Sequence, residues 1–200
     1  MEPVRMAIFA SGGGSNARTL EAWFAGPAAQ QGLPALYVTS NPHSGVVAQG
    51  TAAGVPVVVL GRGRHSDGPW LVSLLESYRI GLVVLAGYLK KVPEAVVARY
   101  PGRILNLHPA LLPGFGGKGM YGMNVHKAVI SSGEKQSGIT IHYVNERYDE
   151  GEILFQAAVD IPPGTAPEQL QRMVQALEHA HFPRIVEKVC KKLRSEGNNA

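Results

Sequence analysis

The chain has 200 residues, of which 45% are hydrophobic and 17% are charged, and its formal net charge at pH 7 is +4. This composition is typical of one globular domain with a sizeable core, and it excludes a disordered chain. The modest charge is not clustered on one segment, as it usually is in nucleic-acid-binding proteins. We therefore expect small-molecule partners and no nucleic acid.

Cysteine usage and hydropathy point to a cellular compartment. The single cysteine, Cys190, excludes an internal disulfide and suits a reducing environment. Its helical spacing from Val186 and Val189 predicts a packed thiol rather than a nucleophile. No apolar run reaches the length of a membrane span, and the first residues lead into a strand-like run rather than a signal peptide. These features predict a cytoplasmic protein with no membrane partner.

In the first half of the chain, short β-rich runs alternate with helical patterns. Strands are predicted at residues 4–10, 35–40, 55–60, 82–86 and in the run that ends at Asn106. Helices are predicted at residues 15–24, 46–53, 69–78 and 93–100. This order predicts an α/β fold with a mostly parallel, twisted sheet, helices on both faces and right-handed crossovers.

The second half has a different pattern. A glycine-rich loop at 114–123 precedes a helix at 124–132, two strand-like runs at 139–144 and 153–159, and a closing helix from about residue 166. Pro183 should interrupt that helix, because proline lacks the N–H that continues it. We expect one domain over residues 1–190 and a polar C-terminal tail over 191–200 that frays.

The first strand is followed by a glycine-rich turn, residues 11–16, that opens a helix. Backbone N–H groups at a helix start bind anions, and glycines let a phosphate approach the chain. Ser15 and Asn16 add side-chain donors and a helix cap. A dinucleotide fingerprint is incomplete, because its third glycine position holds Ala17 and no acidic residue follows the second strand. A plain strand-to-helix turn is the alternative to a phosphate site.

Asn106 and His108 are the first candidates for catalysis. They stand two residues apart at the end of a predicted buried strand, so their side chains share one face, and Pro109 prevents the strand from continuing. An amide donor beside an imidazole can stabilise an oxyanion and move a proton. A satisfied core histidine is the alternative for His108.

Three further groups are candidates for supporting roles. Asp149 could supply a carboxylate or cap its own turn. His142, with Thr140 beside it on the same face of a strand, could support the site from behind. Gln175, Glu178 and His179 share one helix face, which could meet a substrate or only solvent. The remaining histidines lack metal-ligand spacing and no serine-nucleophile motif is present, so we expect neither a metal nor a serine hydrolase.

These motifs resemble the folate-dependent formyltransferases. The resemblance rests on Asn106-Leu-His108-Pro-Ala-Leu-Leu-Pro113, on Gly138-Ile-Thr-Ile-His142 and on Asp149-Glu-Gly151, and it extends from about residue 4 to residue 189. The N-terminal Ser-Gly-Gly-Gly-Ser-Asn and the compact length favour the members that formylate glycinamide ribonucleotide. The resemblance implies a Rossmann-like formyltransferase fold, with a nucleotide-binding half over residues 1–100 and a catalytic, folate-binding half over 101–190.

The resemblance also implies a reaction in purine biosynthesis. A formyl group would pass from 10-formyltetrahydrofolate, as co-substrate, to the amine of glycinamide ribonucleotide by direct attack. Asn106 and His108 would stabilise the oxyanion, and Asp149 would hold and polarise His108. The ribonucleotide would meet Gly13, Gly14, Ser15, Asn16, Gln175 and Glu178. The folate would meet Arg64 or His65 at its tail and elsewhere Tyr88, Leu89, Lys90, Lys91, Val92, Asn106, Val144 and Asp149.

Two features depart from the common family pattern. The loop at 114–123 is longer and richer in glycine, and Lys91 stands where an apolar residue is usual.

Three other functions remain open. A formyltetrahydrofolate hydrolase shares the motifs, a non-catalytic nucleotide- or folate-binding module needs no intact trio, and a nicotinamide enzyme is disfavoured by the absent ribose acid. The protein is expected to be a monomer or a homodimer.

Overall fold

A seven-stranded sheet forms the centre of the computed structural model, which describes residues 2–26 and 28–197. The strands are β1 (Val4–Phe9), β2 (Gly32–Thr39), β3 (Val57–Val59), β4 (Leu82–Leu85), β5 (Ile104–His108), β6 (Gln136–Tyr143) and β7 (Ile153–Asp160). Their order across the sheet is β3-β2-β1-β4-β5-β6-β7. The first five strands pair in parallel, and β6 and β7 are antiparallel to their neighbours. The predicted mostly parallel sheet is confirmed.

Helices cover both faces of this sheet. They are α1 (Ser15–Ala25), α2 (Gly45–Ala53), α3 (Gly68–Ser77), α4 (Glu94–Arg99), α5 (Met123–Ser131) and α6 (Pro167–Glu196), and a short 3₁₀ helix spans Arg64–Ser66. Alternate residues of β1 enter two separate cores: Met6 and Ile8 join the cluster under α1, α5 and α6, and Phe9 joins the one under α3 and α4. This alternation explains why β1 is apolar throughout, because a parallel strand is buried on both sides.

Strand β2 begins earlier than its sequence pattern indicated. It starts at Gly32, where a side chain would press on Phe24 and Cys190. Pro34 lies within it, next to a register shift against β1 between Met6 and Ala7. Such an irregularity lets a strand continue past a proline, which cannot donate to the ladder. The three residues that precede the predicted strand therefore belong to it.

The prediction that Pro183 interrupts the last helix is wrong. Helix α6 runs through Pro183, which is itself buried. Val174 before it and Phe182 and Val186 beside it are all buried in the same core cluster. Packing on both sides of the proline therefore offsets the cost of the lost hydrogen bond.

Residues 191–196 of the predicted polar tail are helical. They belong to α6, where Lys191 pairs with Glu187 at 2.6 Å and Lys192 with Glu196 at 3.9 Å. Such pairs four residues apart support a helix. Residues 198–200, the rest of that tail, lie outside the described residues.

Cys190 is fully buried, and burial raises the pKa of its thiol to about 12, as expected of a packed thiol. Among the described helices, none is both long and apolar enough to cross a membrane.

Candidate active site

Antiparallel pairing of β5 with β6 assembles the candidate site. Asn106 stands opposite His142, and His108 stands opposite Thr140. Asp149 comes from the turn between β6 and β7, where it adopts a left-handed backbone with φ 57°. Next to it along the turn, Gly151 packs so closely on the Tyr143 carbonyl that no side chain would fit. The turn therefore folds back over the end of β5 and places the carboxylate beside both predicted residues.

The Asp149 carboxylate lies between two imidazoles. Its Oδ2 is 3.6 Å from His108 Nδ1, and its Oδ1 is 3.6 Å from His142 Nε2. Asn106 Nδ2 lies 3.3 Å from Oδ1 and completes a group of four side chains. The structure thus brings the three predicted catalytic residues together, with His142 as the fourth member.

The orientation of Asn106 follows from the tautomer of His142. His142 Nδ1 is 2.8 Å from the Tyr143 carbonyl, which can only accept, so the proton is on Nδ1. His142 Nε2 is therefore an acceptor, and the Asn106 amide nitrogen donates to it over 3.0 Å. Hence the amide nitrogen, and not the amide oxygen, faces the histidine and the carboxylate.

The glycine-rich loop contacts the site directly. His108 Nε2 is 2.8 Å from the Phe115 carbonyl, and the Gly117 N–H donates to Asp149 Oδ2 over 2.8 Å. Between them, a side chain at Gly116 would lie 2.6 Å from a Leu112 methyl and 3.2 Å from Asp149 Cβ. The sequence did not reveal these contacts, because they use backbone atoms. The glycine density was the only available signal, since glycine permits close backbone approach.

Burial and neighbouring charges have opposing effects on the pKa values of His108 and Asp149. Burial lowers the pKa of His108 below its usual 6.5, although the Asp149 charge and the Phe115 carbonyl raise it in part. Burial raises the pKa of Asp149, but His142, the Gly117 N–H and His108 together outweigh that effect and hold it below 3.8. The resting site therefore holds a neutral imidazole beside a carboxylate near neutral pH.

The predicted phosphate turn meets the last helix. Gln175 Nε2 donates to Ser15 Oγ over 3.0 Å, and Asn16 Nδ2 donates to Glu178 Oε2 over 2.8 Å. Gly14 has φ 74°, in the region that favours glycine. The structure therefore brings together four side chains that were predicted to bind the ribonucleotide from two distant segments of the sequence: Ser15, Asn16, Gln175 and Glu178.

Two features make this end of the site receptive to a polar ligand. Burial raises the pKa of Glu178, an effect that the hydrogen bond from Asn16 only partly offsets. Asn16 Oδ1 is buried and makes no hydrogen bond in the structure. An unsatisfied buried acceptor costs free energy until a donor arrives. Both groups are thus suited to bind donor groups of a ligand.

One cavity of about 790 Å³ joins these groups. Asn106, His108 and Asp149 lie in its wall, and Asn16, Gln175 and Glu178 line it beside them. The predicted folate segment also lines it, with Tyr88, Leu89, Lys90, Lys91 and Val92 together with Val144. A volume of this size is typical of small-molecule sites. The cavity therefore has a polar wall formed by the turn and α6, and a second wall formed by residues 87–92.

Some predicted residues have other roles. Arg64 does not line the cavity, because it pairs with Asp67 at 2.8 Å and stacks on Trp70, whereas its neighbour His65 does line it. Thr140 is fully buried, donates to the Ala110 carbonyl over 2.7 Å and accepts from the Leu112 N–H over 3.0 Å. It therefore secures the chain that follows β5. Lys91 Nζ lies 3.8 Å from Glu94 at the cavity edge.

Gln171 and His126 are among the polar residues of the cavity wall that sequence analysis did not assign. Gln171 lines it from α6, one helical turn before Gln175, and this spacing could have indicated it. His126 lines it from α5, and burial lowers its pKa. No local motif marked His126. Within residues 2–26 and 28–197, no group of three or more His, Cys, Asp or Glu side chains is arranged to hold a metal ion.

Comparison with known proteins agrees with this geometry. A family model described as formyl transferase matches residues 4–186. The chain belongs to the formyl transferase family. The resemblance found in the motifs is thereby confirmed, and the catalytic roles of Asn106, His108 and Asp149 stay a prediction.

Named relatives of this formyl transferase act in purine synthesis. A chloroplastic phosphoribosylglycinamide formyltransferase of Arabidopsis thaliana is 43% identical over 96% of this chain and 68% of its own length. The trifunctional purine biosynthetic protein adenosine-3 of Drosophila melanogaster is 34% identical over 91% of this chain, which spans 14% of that protein. The crystal structure of phosphoribosylglycinamide formyltransferase from Bacillus halodurans superposes with a TM-score of 0.83 and 35% identity, covering 92% of this chain and 94% of that one.

Proposed function

We propose that this formyl transferase moves the formyl group of 10-formyltetrahydrofolate to the amine of glycinamide ribonucleotide in purine biosynthesis. The observation that carries the proposal is that Asn106, His108 and Asp149 line the same cavity as Asn16, Glu178 and the predicted folate segment. A transfer between two bound substrates needs its catalytic groups at their junction. The family supplies the folate co-substrate, and the named relatives supply the acceptor.

The two walls differ in the ligand they suit. Gly13, Gly14 and Ser15 lie at the start of α1, where backbone N–H groups favour the phosphate of the ribonucleotide. Asn16 and Glu178 would meet its ribose or its glycinamide end, supported by the unsatisfied Asn16 Oδ1. The pterin would lie against residues 88–92 and Val144, with His65 nearer than Arg64 to the glutamate tail.

The proposed reaction is a direct displacement. The ribonucleotide amine forms a bond to the formyl carbon, the carbonyl oxygen becomes an oxyanion, and the bond from that carbon to N10 of the folate then breaks. A proton leaves the amine and reaches N10. The Asn106 amide stabilises the oxyanion, replacing its longer bond to Asp149 Oδ1. His108 carries the proton, and Asp149 stabilises the imidazolium that forms.

The composition of the chain suits the proposed substrates and the proposed location. A net charge of +4 favours anionic substrates such as a phosphorylated nucleotide and a folate tail. A single buried cysteine suits the cytoplasm, which we propose as the location; the Arabidopsis relative is named chloroplastic. We propose a monomer or a homodimer that binds these small molecules, with no nucleic-acid or membrane partner and no metal.

The deciding experiment follows the release of tetrahydrofolate from 10-formyltetrahydrofolate with and without glycinamide ribonucleotide. A transferase releases it only when the acceptor is present, and formylated ribonucleotide accumulates in equal amount. Release without acceptor would assign the chain to the hydrolases instead. Binding of both ligands without turnover would identify a non-catalytic module.

A further inference from the structure

Ser11 lies under the junction of the two cavity walls. It is 6% exposed and connects β1 to the phosphate turn. Gly12 on one side of it lines the cavity, as do Gly87 and Leu89 on the adjacent strand connection. The Ser11 hydroxyl accepts a hydrogen bond from the Leu89 N–H. Within the described residues, this is the one side-chain hydrogen bond between the turn and the 87–92 segment.

Ser11 continues the β1–β4 pairing after a one-residue shift of register, and one of its bonds uses the side chain. Its N–H donates to the Gly87 carbonyl over 3.1 Å. In a regular parallel ladder the Leu89 N–H would then bond to the backbone carbonyl of Ser11. That carbonyl instead accepts from Asn41 Nδ2 over 2.9 Å, and the Leu89 N–H donates to Ser11 Oγ over 3.2 Å. The hydroxyl thus replaces a backbone acceptor where the strand becomes the turn.

The other side of the turn is fixed independently. Ser44 Oγ and the Gly45 N–H both donate to the Gly12 carbonyl over 3.0 Å. Gly45 packs against the Gly13 backbone so closely that a side chain there would not fit. The turn is therefore held to α2 without Ser11 Oγ. The hydroxyl adds a second bond between the turn and the 87–92 segment, beside the backbone bond from the Ser11 N–H to Gly87.

We propose that Ser11 is a positioning residue that sets the distance between the bound nucleotide and the bound folate. The inference rests on the proposed function, because it assigns those ligands to the two walls. Reaction within a ternary complex depends steeply on the approach of the reacting atoms, and a displacement of about 1 Å can cost roughly 10²-fold in rate. Ser11 contacts neither reacting atom and acts through the backbone of Leu89.

The test compares Ser11→Ala with Ser44→Ala, which removes a hydroxyl of similar burial from the opposite side of the same turn. Three quantities are measured: the Kd of each substrate alone, the single-turnover rate with both substrates saturating, and hydrogen exchange of the Leu89 amide by NMR. For Ser11→Ala we expect each Kd within about twofold of wild type, a roughly tenfold slower transfer and faster Leu89 exchange. Ser11→Thr, which keeps the hydroxyl, should restore both rates. Ser44→Ala should leave transfer at saturating substrates and Leu89 exchange unchanged, because the Gly45 N–H still holds the Gly12 carbonyl.

The outcomes separate this inference from the proposed function. If wild-type protein transfers no formyl group to the ribonucleotide, the proposed function fails and the inference fails with it. If wild-type protein is active and Ser11→Ala transfers at the wild-type rate despite faster Leu89 exchange, only the role of Ser11 is overturned. An equal loss of transfer in Ser44→Ala would also overturn it, because general loosening of the turn would then explain both variants.

Discussion

Asp149 Oδ2 lies 3.6 Å from Nδ1 of His108, while the opposite ring nitrogen of His108 is 2.8 Å from the Phe115 carbonyl. Since a carbonyl only accepts, the single proton of the neutral ring sits on Nε2, and Nδ1 directs its lone pair at the carboxylate. In the proposed mechanism, a proton taken from the substrate amine would bind at Nδ1, where the Asp149 charge would stabilise it. The pair His108–Asp149 would then favour the imidazolium of the proposed reaction over the resting ring.

Replacing Asp149 with asparagine tests this pairing. The carboxylate raises the pKa of His108 against the effect of burial, so Asp149→Asn should lower that pKa further. The limb of the pH–rate profile that reports protonated His108 should move to lower pH, and kcat near neutral pH should fall by roughly 10²-fold. The profile of kcat against pH in saturating substrates measures both. An unshifted limb would contradict the pairing.

Removing the oxyanion donor should slow turnover without weakening binding. Asn106→Ala is expected to cost roughly 10²–10³ in kcat, and His108→Ala at least as much. Because both act on one transition state, the double variant should be far less impaired than the product of the two losses. Gln136→Ala, which removes an exposed amide from the same sheet, serves as the control for substitution itself. Near-normal turnover in both folded single variants would show that the site is misassigned.

The loop contact predicts a further loss of activity. Gly116→Ala places a methyl 2.6 Å from a Leu112 methyl and 3.2 Å from Asp149 Cβ. The loop must move, which weakens the bond from the Gly117 N–H to Asp149, at a cost of about 1–3 kcal/mol for the overpacking. We expect roughly tenfold lower kcat and a shifted pH profile. Gly61→Ala, where a methyl meets nothing within 4 Å, should change neither quantity.

The phosphate turn can be tested through its strained glycine. Gly14→Val should destabilise the protein by more than the about 1–2 kcal/mol expected from φ 74°, because the side chain would also lie 3.2 Å from Val46 N, and it should raise the KM for the ribonucleotide while folate affinity changes little. Gly54→Val carries the same backbone strain at φ 68° at the end of α2, away from the cavity. It should show the stability loss alone. An equal rise in KM in both variants would mean that strain, and not phosphate contact, causes it.

The charged form of Glu178 should destabilise the folded protein. Its pKa is raised in the folded protein, so the folded state binds the proton more tightly than the unfolded chain does. Stability is therefore lost as pH rises from about the ordinary value of 4.5 through the raised one. At neutral pH, Glu178→Gln should melt at the same or a higher temperature, with a higher KM for the ribonucleotide. A lower melting temperature would show that the charge stabilises the fold.

Local patterns predicted the elements, and the resemblance supplied what local patterns could not. Asn106 and His108 could be predicted because their signals, the alternation of the strand and the proline that ends it, lie within a few adjacent residues. The position of Asp149 depends on how β6 and its following turn fold over β5, and no local rule fixes that. The bonds from Phe115 and Gly117 use backbone atoms, so residue type carries almost no signal for them.

Pro183 shows where short-range reasoning was overruled. Proline has an unfavourable effect on an isolated helix, yet the buried side chains around Pro183 are packed against the sheet and hold it in place. Neighbours that become adjacent only in the folded chain decided that outcome. The contact of Arg64 with the folate tail stays a prediction, and in the structure its guanidinium pairs with Asp67 and stacks on Trp70.

The cross-strand pairs Asn106–His142 and His108–Thr140 depend on the register of β5 with β6 and not on the length of the turn around Gly133 that leads into β6. As long as the register holds, residues added to the exposed turn around Gly133, where φ is 74°, change nothing at the catalytic centre. A one-residue slip of the same pairing would turn every one of these side chains to the opposite face. The protein can therefore absorb insertions at this turn, whereas deletion of a single residue inside β6 would abolish catalysis even if the chain still folded.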